Sequence, residues 1–275
     1  MRTAPPPLWD TAGYEPDLVE EFAGDALDAT RWLPYHLPHW SSRARAAARY
    51  TVADGRLELR IDADQEPWCP ELDGGTRVSS LQTGLVAGPV GSAVGQHRFS
   101  PDAVVREAQP EARLYTPHLG LVEMAASAQI DDQAMVALWM IGLEDAPERS
   151  AEICVAEIFG RDLRPGSAAV GMGVHPFGDP AIRDDFAAVR LPIDVGETHT
   201  YGVRWEPGQV AFYVDRRLVR VVDQAPDYPM QLMLGIYDFA RGEGLAGGAR
   251  PSPADHPQRF VVERVLGHRP AGGRP

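Results

Sequence analysis

Apolar and polar residues alternate with a period of two along much of the chain, which is the pattern of half-buried β-strands. The clearest case is the stretch from Thr200 to Trp205, in which every second residue is large and apolar. Turn-forming residues such as Asp54-Gly55 and Pro207-Gly208 separate these stretches, and no stretch has the 3.6-residue period of a long amphipathic helix. The predicted strands lie at 50–52, 57–61, 134–141, 168–174, 201–205, 210–214, 218–222, 230–237 and 260–266. We therefore expect an all-β fold, a jelly-roll sandwich of two antiparallel sheets.

The chain reads as one domain. It has 275 residues, with 27 glycines and 25 prolines spread along its length and no internal repeat or linker-like stretch. Residues 1–16 are rich in proline, and residues 269–275 are rich in glycine and proline, so we expect a tail at each end. The predicted sandwich domain covers residues 17–268.

The composition restricts the classes of molecule that the protein is expected to bind. Asp and Glu outnumber the basic residues 39 to 26, a net charge of −13, and such a surface repels nucleic-acid backbones. No apolar run of 18 residues occurs, so we expect no membrane-spanning helix. The first residues lack the apolar core of a secretory signal, which predicts a cytoplasmic protein, or a secreted one if a signal precedes this sequence. All basic residues are arginine, which excludes lysine-based covalent chemistry.

The segment Ala151–Gly160 carries the most informative chemistry. Ile153 and Val155 alternate with Glu152 and Cys154, so the two sets face opposite sides of a strand. Unbroken alternation would bury Glu157 on the apolar side, whereas a β-bulge near Val155 would turn it to the face of Glu152. Two glutamates on one face of a strand suit glycoside hydrolysis, although a solvated strand face gives the same pattern.

Several blocks, in order, resemble glycoside hydrolase family 16, the laminarinase and lichenase group. The likeness runs from about Glu20 to about Leu266. The blocks are Glu152-x-Cys154-x-x-Glu157, Glu21-Phe22-x-Gly24-x-x-Leu27-Asp28-x-x-x-Trp32, Gly120–Met124, Ala137–Met140, and His199–Trp205 with Phe212–Asp215. The resemblance implies a concanavalin A-like sandwich with a cleft on its concave face.

The same resemblance implies roles for the motif residues. Glu152 would be the nucleophile and Glu157 the general acid/base of a retaining mechanism. Cys154 stands where the family has Asp, and a thiol supplies neither charge nor a firm hydrogen bond there. We therefore expect weak or atypical hydrolysis or transglycosylation of a β-linked glucan or related glycoside. The alternative is a repurposed sandwich that binds or transforms a smaller intracellular molecule without polysaccharide hydrolysis.

Aromatic residues and histidines supply the remaining candidates. Trp139 and His175 resemble the family's sugar-stacking and substrate-contacting positions, and Trp68 and Tyr237 are further stacking candidates, although core tryptophans and surface histidines are common. We expect the glycine-rich stretch Gly88–Gly95 to form a rim loop over the cleft. His36 and His39 lie three residues apart but have no third ligand nearby. The acidic turns at 62–64 and 184–185 could bind calcium, but such turns are usually solvated. We therefore predict no metal site, and no cofactor because no cofactor motif is present. The expected partner is a carbohydrate or a small glycoside.

Overall fold

Two antiparallel sheets dominate the computed structural model, which describes residues 5–239 and 258–272. The strands are β1 (Tyr14–Glu20), β2 (Tyr50–Ala53), β3 (Arg56–Ile61), β4 (Arg77–Gln82), β5 (Gly84–Leu85), β6 (Ala112–Arg113), β7 (Gly120–Gln129), β8 (Ala134–Gly142), β9 (Glu152–Phe159), β10 (Ala168–His175), β11 (Asp185–Leu191), β12 (His199–Glu206), β13 (Gln209–Val214), β14 (Arg217–Val222), β15 (Met230–Asp238) and β16 (Gln258–Pro270). Two four-residue helices, α1 (Arg43–Ala46) and α2 (Pro70–Asp73), lie in the loops. The predicted all-β sandwich is confirmed.

The strand order brings distant parts of the chain together. One sheet runs β14-β13-β12-β7-β16-β3-β2, with β1 also paired to β16. The other runs β11-β10-β9-β8-β15-β4, and β5 pairs with β6 as a short separate hairpin. The six-stranded sheet thus has β9, the strand of the two glutamates, near its middle.

Turn residues end the strands where the sequence predicts. Asp54 and Gly55 both adopt positive φ between β2 and β3, a geometry that suits the twist of a two-residue hairpin. Gly208 does the same between β12 and β13. Every strand expected from the alternation is present, with bounds that differ by a few residues.

The inner faces of the two sheets form the main core. It contains Trp205 and Phe212 from the eight-stranded sheet and Leu138 and Ile153 from the six-stranded sheet, all at most 1% exposed. Burial of large apolar side chains of this kind is the main stabilising contribution to such a sandwich.

A second apolar cluster lies on the outer face of the six-stranded sheet. Loop residues such as Trp40 and Trp68 pack there against Met233 and Tyr237 of β15. The loops therefore cover the β4–β15–β8 side of this face. The β9–β10 side lies beyond that cover, and the pocket described below opens there.

Both ends of the described chain extend the eight-stranded sheet. β1 starts at Tyr14 and β16 ends at Pro270, so strand pairing enters the two stretches expected to be tails. Leu8 bridges Arg217, and the Trp9 N–H donates to the Arg216 carbonyl. Tyr213 also donates its hydroxyl to the Pro6 carbonyl. These contacts with distant residues hold residues 6–9 against the sheet, although their proline content alone predicts a loose tail.

Candidate active site

A β-bulge in β9 aims the glutamates. Trp139 of β8 pairs with Cys154, but its neighbour Leu138 pairs with Ala156, so Val155 is an extra residue in the strand. The pairing with β10 is displaced at the same point. Val155 and Ala156 both pack into the main core, and Glu157 returns to the face of Glu152 and Cys154. The predicted bulge is confirmed.

The register shows which residues share this face. Glu157, Cys154 and Glu152 lie beside Ala137, Trp139 and Ile141 of β8, and beside Gly171, Gly173 and His175 of β10. On β8, which has no bulge, the interval from Ala137 to Ile141 is four residues long, about 13 Å along the backbone. The long glutamate side chains lie over that interval and enter one pocket.

The pocket has a volume of about 440 Å³, a size typical of small-ligand sites. Its lining residues are His97, Trp139, Glu152, Glu157, His175, Pro176 and Phe177. Two carboxyls therefore share an aromatic-walled space, which is the combination a sugar ring requires.

Burial governs the charge of Glu152. This residue is 4% exposed, and burial, followed by the charge of Glu157, raises the pKa of its carboxyl to about 8. The His97 ring lies close to this carboxyl, with Nδ1 3.9 Å from Glu152 Oε2. Glu152 therefore holds a proton at neutral pH in the free protein.

Glu157 lies in a more polar setting. Burial raises the pKa of Glu157, whereas His175, the Trp139 indole N–H and Arg161 each lower it. His175 is itself oriented by Asp184, since Nδ1 lies 2.6 Å from Asp184 Oδ1, and its ring stacks on Phe186. The two carboxyls thus differ in environment. In the free protein the burial of Glu152 favours its protonated form, whereas the family motif requires an ionised Glu152 for attack.

Cys154 lies between them, fully buried. Its Sγ donates a long hydrogen bond of 3.8 Å to the Gly171 carbonyl. Burial and the charges of Glu157 and Glu152 raise the pKa of the thiol well above its ordinary value. The thiol therefore stays neutral, and it gives the pair no third charge.

The aromatic candidates divide into two groups. Trp139 and His175 line the pocket as predicted. Tyr237 lies behind Trp139, with ring centroids 5.0 Å apart, and it is 4% exposed, so it supports the platform without lining the pocket. Trp68 is 2% exposed and donates its indole N–H to Asp73, because the loop cluster encloses it. Trp68 is therefore outside the pocket, contrary to expectation.

Sequence reasoning missed His97 and Phe177. Their rings meet at 4.7 Å, and Phe177 is 48% exposed. The expected rim loop, Gly88–Gly95, ends two residues before His97, and Phe177 follows His175 by two residues. Only their closeness in sequence to these predicted features could have pointed to the two residues. Neither motif spacing nor the alternation of apolar and polar positions identifies them.

No set of three His, Cys, Asp or Glu within residues 5–239 and 258–272 could hold a metal ion. In the same ranges no helix has the length and apolar character needed to cross a membrane.

A β-sandwich with two carboxyls on one bulged strand, set in an aromatic pocket, has the features of a glycoside hydrolase. The model for the glycosyl hydrolases family 16 matches residues 115–247, which include the whole glutamate motif. Residues 115–247 therefore form a region similar to glycosyl hydrolase family 16, and it includes both glutamates. A comparison with curated proteins finds no match.

Solved structures agree with this assignment. The chain is 27% identical to a GlcNAcα1-4Gal releasing endo-β-galactosidase from Clostridium perfringens, with a TM-score of 0.80 over 99% of this chain. It spans 66% of the length of that protein, just under two thirds.

Two glucanases share the fold at lower identity. The catalytic domain of an endo-1,3-β-glucanase from Thermotoga petrophila RKU-1 is 16% identical, with a TM-score of 0.64 over 94% of this chain and 99% of that one. A non-specific endo-β-1,3(4)-glucanase is 18% identical, with a TM-score of 0.66 over 96% of this chain and 98% of that one. That structure contains 1,3-β-D-cellobiosyl-glucose at its active site.

Proposed function

We propose that this glycoside hydrolase is an endo-acting enzyme that cleaves a β-galactosidic linkage with retention of configuration. The observation that carries the choice of galactoside over glucan is the match to the endo-β-galactosidase. That protein is 27% identical over 99% of this chain, against 16% and 18% for the two glucanases. The glutamate motif of this chain does not by itself distinguish a galactoside from a glucan as the substrate.

The site geometry supports a two-glutamate mechanism. Glu152 attacks the anomeric carbon while Glu157 protonates the leaving oxygen, and a glycosyl ester forms on Glu152. Glu157 then takes a proton from water, which hydrolyses the ester with a second inversion at the same carbon. The reaction starts from the form in which Glu152 is ionised and Glu157 holds the proton.

Trp139 supplies a surface for the sugar. It is packed from behind by Tyr237, so its ring is held in place. A galactose ring presents a continuous apolar patch of C–H groups on one face, and such a patch stacks well on an aromatic plane. The indole N–H of Trp139 is itself buried and acts on Glu157, whose pKa it lowers.

Product analysis tests the proposal. The wild-type enzyme and Glu152→Gln would be incubated with β-galactans, galactosides capped with α1-4-linked GlcNAc, and β-1,3- and β-1,4-glucans, and the products analysed by mass spectrometry. We expect shortened oligosaccharides from galactose-containing substrates with the wild type only. Cleavage of glucans alone would overturn the galactoside assignment. No cleavage by a folded protein would favour a repurposed cleft that binds a smaller molecule.

Rescue of glycine variants by azide tests the nucleophile role of Glu152 and the acid/base role of Glu157 separately. With an activated aryl β-glycoside, a Glu157→Gly variant and azide should yield the β-glycosyl azide, because azide replaces the water that Glu157 would activate. A Glu152→Gly variant should instead yield the α-azide, because azide occupies the place of the nucleophile. The reverse pattern would exchange the roles.

A further inference from the structure

We propose that His97 is a positioning residue that holds the ionised Glu152 through a hydrogen bond from its ring Nδ1–H. The inference rests on the proposed function for its catalytic consequence, and it adds a role for a residue outside the glutamate motif. The geometry that carries it is the 3.9 Å approach of His97 Nδ1 to Glu152 Oε2.

Glu152 needs such a donor. Its carboxyl is buried, and in the part of the chain that the structure describes no hydrogen bond reaches it. An ionised carboxylate without a donor in this setting is costly by several kcal/mol. At 3.9 Å the two atoms lie beyond hydrogen-bond length, but catalytic hydrogen bonds are often long in the free enzyme and tighten when substrate binds.

The position of His97 is fixed by its surroundings. Its neighbour Gln96 is fully buried, and the Gln96 side chain donates to the Gly142 carbonyl and accepts from the Val86 N–H. The Gln96 carbonyl accepts the indole N–H of Trp40. These contacts anchor the loop to β8 and to the loop cluster, so the His97 ring is presented to the pocket by a rigid support.

The His97 residue itself is held in an unusual backbone geometry. Its φ is +50°, an uncommon value for a residue with a side chain, and its N–H donates to Glu144 Oε1. The ring lies nearly parallel to Trp139 at 6.3 Å and packs against Phe177 at 4.7 Å. A strained backbone conformation that several contacts maintain is typical of functional positions.

The neutral form of His97 suits this role. Burial, with a smaller effect of His175, lowers the pKa of the His97 ring to about 4, so the ring carries no charge at neutral pH. A neutral N–H stabilises the carboxylate through a hydrogen bond, whereas a full positive charge on the ring would weaken the nucleophile. When the glycosyl ester forms, the carboxylate charge disappears and the hydrogen bond weakens without leaving a buried cation.

Titration of the free protein tests the inference without any substrate. The Glu152 carboxyl would be followed by ¹³C NMR against pH and assigned by its loss in Glu152→Gln. The titratable groups around it are Glu157 and Cys154 on β9, His175 on β10, Tyr237 on β15, and His97. The variants are His97→Leu, which removes the donor, and His97→Asn, which places an amide N–H near the Nδ1 position.

We expect the pKa of Glu152 to rise by about one pH unit in His97→Leu and to stay near the wild-type value in His97→Asn. Equal values in Leu and Asn variants, or no change in either, would overturn the inference.

Kinetics add a second readout once a cleaved substrate is identified. His97→Leu should lower kcat at least tenfold with little change in KM, and its acidic pH limb should move to higher pH. His97→Asn should recover much of the loss. If no substrate is cleaved, the proposed function fails while the titration still decides the role of His97.

Discussion

At the scale of single residues, the protonation of Glu152 is the central property of the site. A nucleophile must be ionised, yet burial favours its protonated form. The pair as a whole carries one proton in the reactive state, and its distribution between the two carboxyls depends on neighbours such as His97 and His175. The acid limb and the alkaline limb of activity therefore belong to the pair rather than to either glutamate.

Glu152→Gln is expected to stabilise the protein at alkaline pH. The pKa of Glu152 in the folded state, about 8, lies above its ordinary value of 4.5. The wild type therefore loses stability as pH rises from 4.5 through 8, by an amount on the order of a few kcal/mol. The neutral amide avoids this loss. Thermal unfolding should show a higher Tm than wild type at about pH 8 and equal Tm values near pH 4.

Glu197→Gln is the matched control, since Glu197 is exposed. It should leave the Tm difference between the acidic and the alkaline measurement unchanged. A Glu152→Gln variant that gains no stability at alkaline pH would show that Glu152 titrates normally in the folded protein.

Cys154→Asp is expected to raise hydrolysis several-fold. The carboxyl restores the charged spacer of the family motif and gives the indole N–H of Trp139 a nearby acceptor. Burying it should also lower stability by about 1–3 kcal/mol. Cys154→Asn separates the two effects, because it offers an acceptor without a charge. Equal kcat values for the Asp and Asn variants would show that charge at this position does not matter.

At the scale of elements, the bulge in β9 converts one strand into a site. The spacing of Glu152 and Glu157 conflicts with a period of two, and that conflict is the local signal that predicts the bulge. The partners of the strand do not follow from the sequence in the same way. The pairing of Gly171 with Glu157 and of His175 with Glu152 depends on the register of β10, which is set by contacts across the sheet.

Gly171→Ala is expected to impair catalysis more than stability. An added Cβ would lie 2.5 Å from Phe186 Cζ and 3.3 Å from Glu157 Cβ. Phe186 must turn away and Glu157 must shift, so kcat should fall about tenfold with a stability loss of about 1–2 kcal/mol. Kinetic assays and urea unfolding would measure the two effects.

Gly24→Ala is the matched control, because its added Cβ meets no atom closer than 3.8 Å and its φ is not positive. It should change neither quantity. If Gly171→Ala kept full activity, close packing between β10 and β9 would not position Glu157.

At the scale of the whole molecule, the sequence predicts the sandwich better than it predicts the loop layer upon it. Strand alternation is a local pattern, so the sheets can be anticipated. The loop cluster depends on contacts between distant residues, such as Trp40 with Gln96, 56 positions apart. For this reason the sequence wrongly assigns Trp68 to the cleft and does not mark His97 as part of it.

Trp9→Ala is expected to destabilise the fold without affecting catalysis. Its ring packs edge-on against Tyr213 at 5.2 Å and covers Gly202. Both partners belong to the eight-stranded sheet, whereas the carboxyls lie on the six-stranded one. The loss should be about 1–2 kcal/mol, which corresponds to a Tm decrease of roughly 2–8 °C.

Leu8→Ala provides the comparison, since the Leu8 side chain is 59% exposed and only its backbone bridges Arg217. It should leave Tm nearly unchanged. A Trp9→Ala variant with wild-type Tm would mean that residues 5–12 rest on the sheet without stabilising it.

The pairing of β1 with β16 also determines where the enzyme can be attached to a surface or fused to another protein. The first and last strands of the described chain run side by side in the sheet opposite the pocket. A bead, an electrode or a fused binding protein joined through either strand would therefore face away from an incoming glycan. The same arrangement leaves the two attachment points close together, so that an immobilised layer of molecules would present their pockets outward in a common orientation.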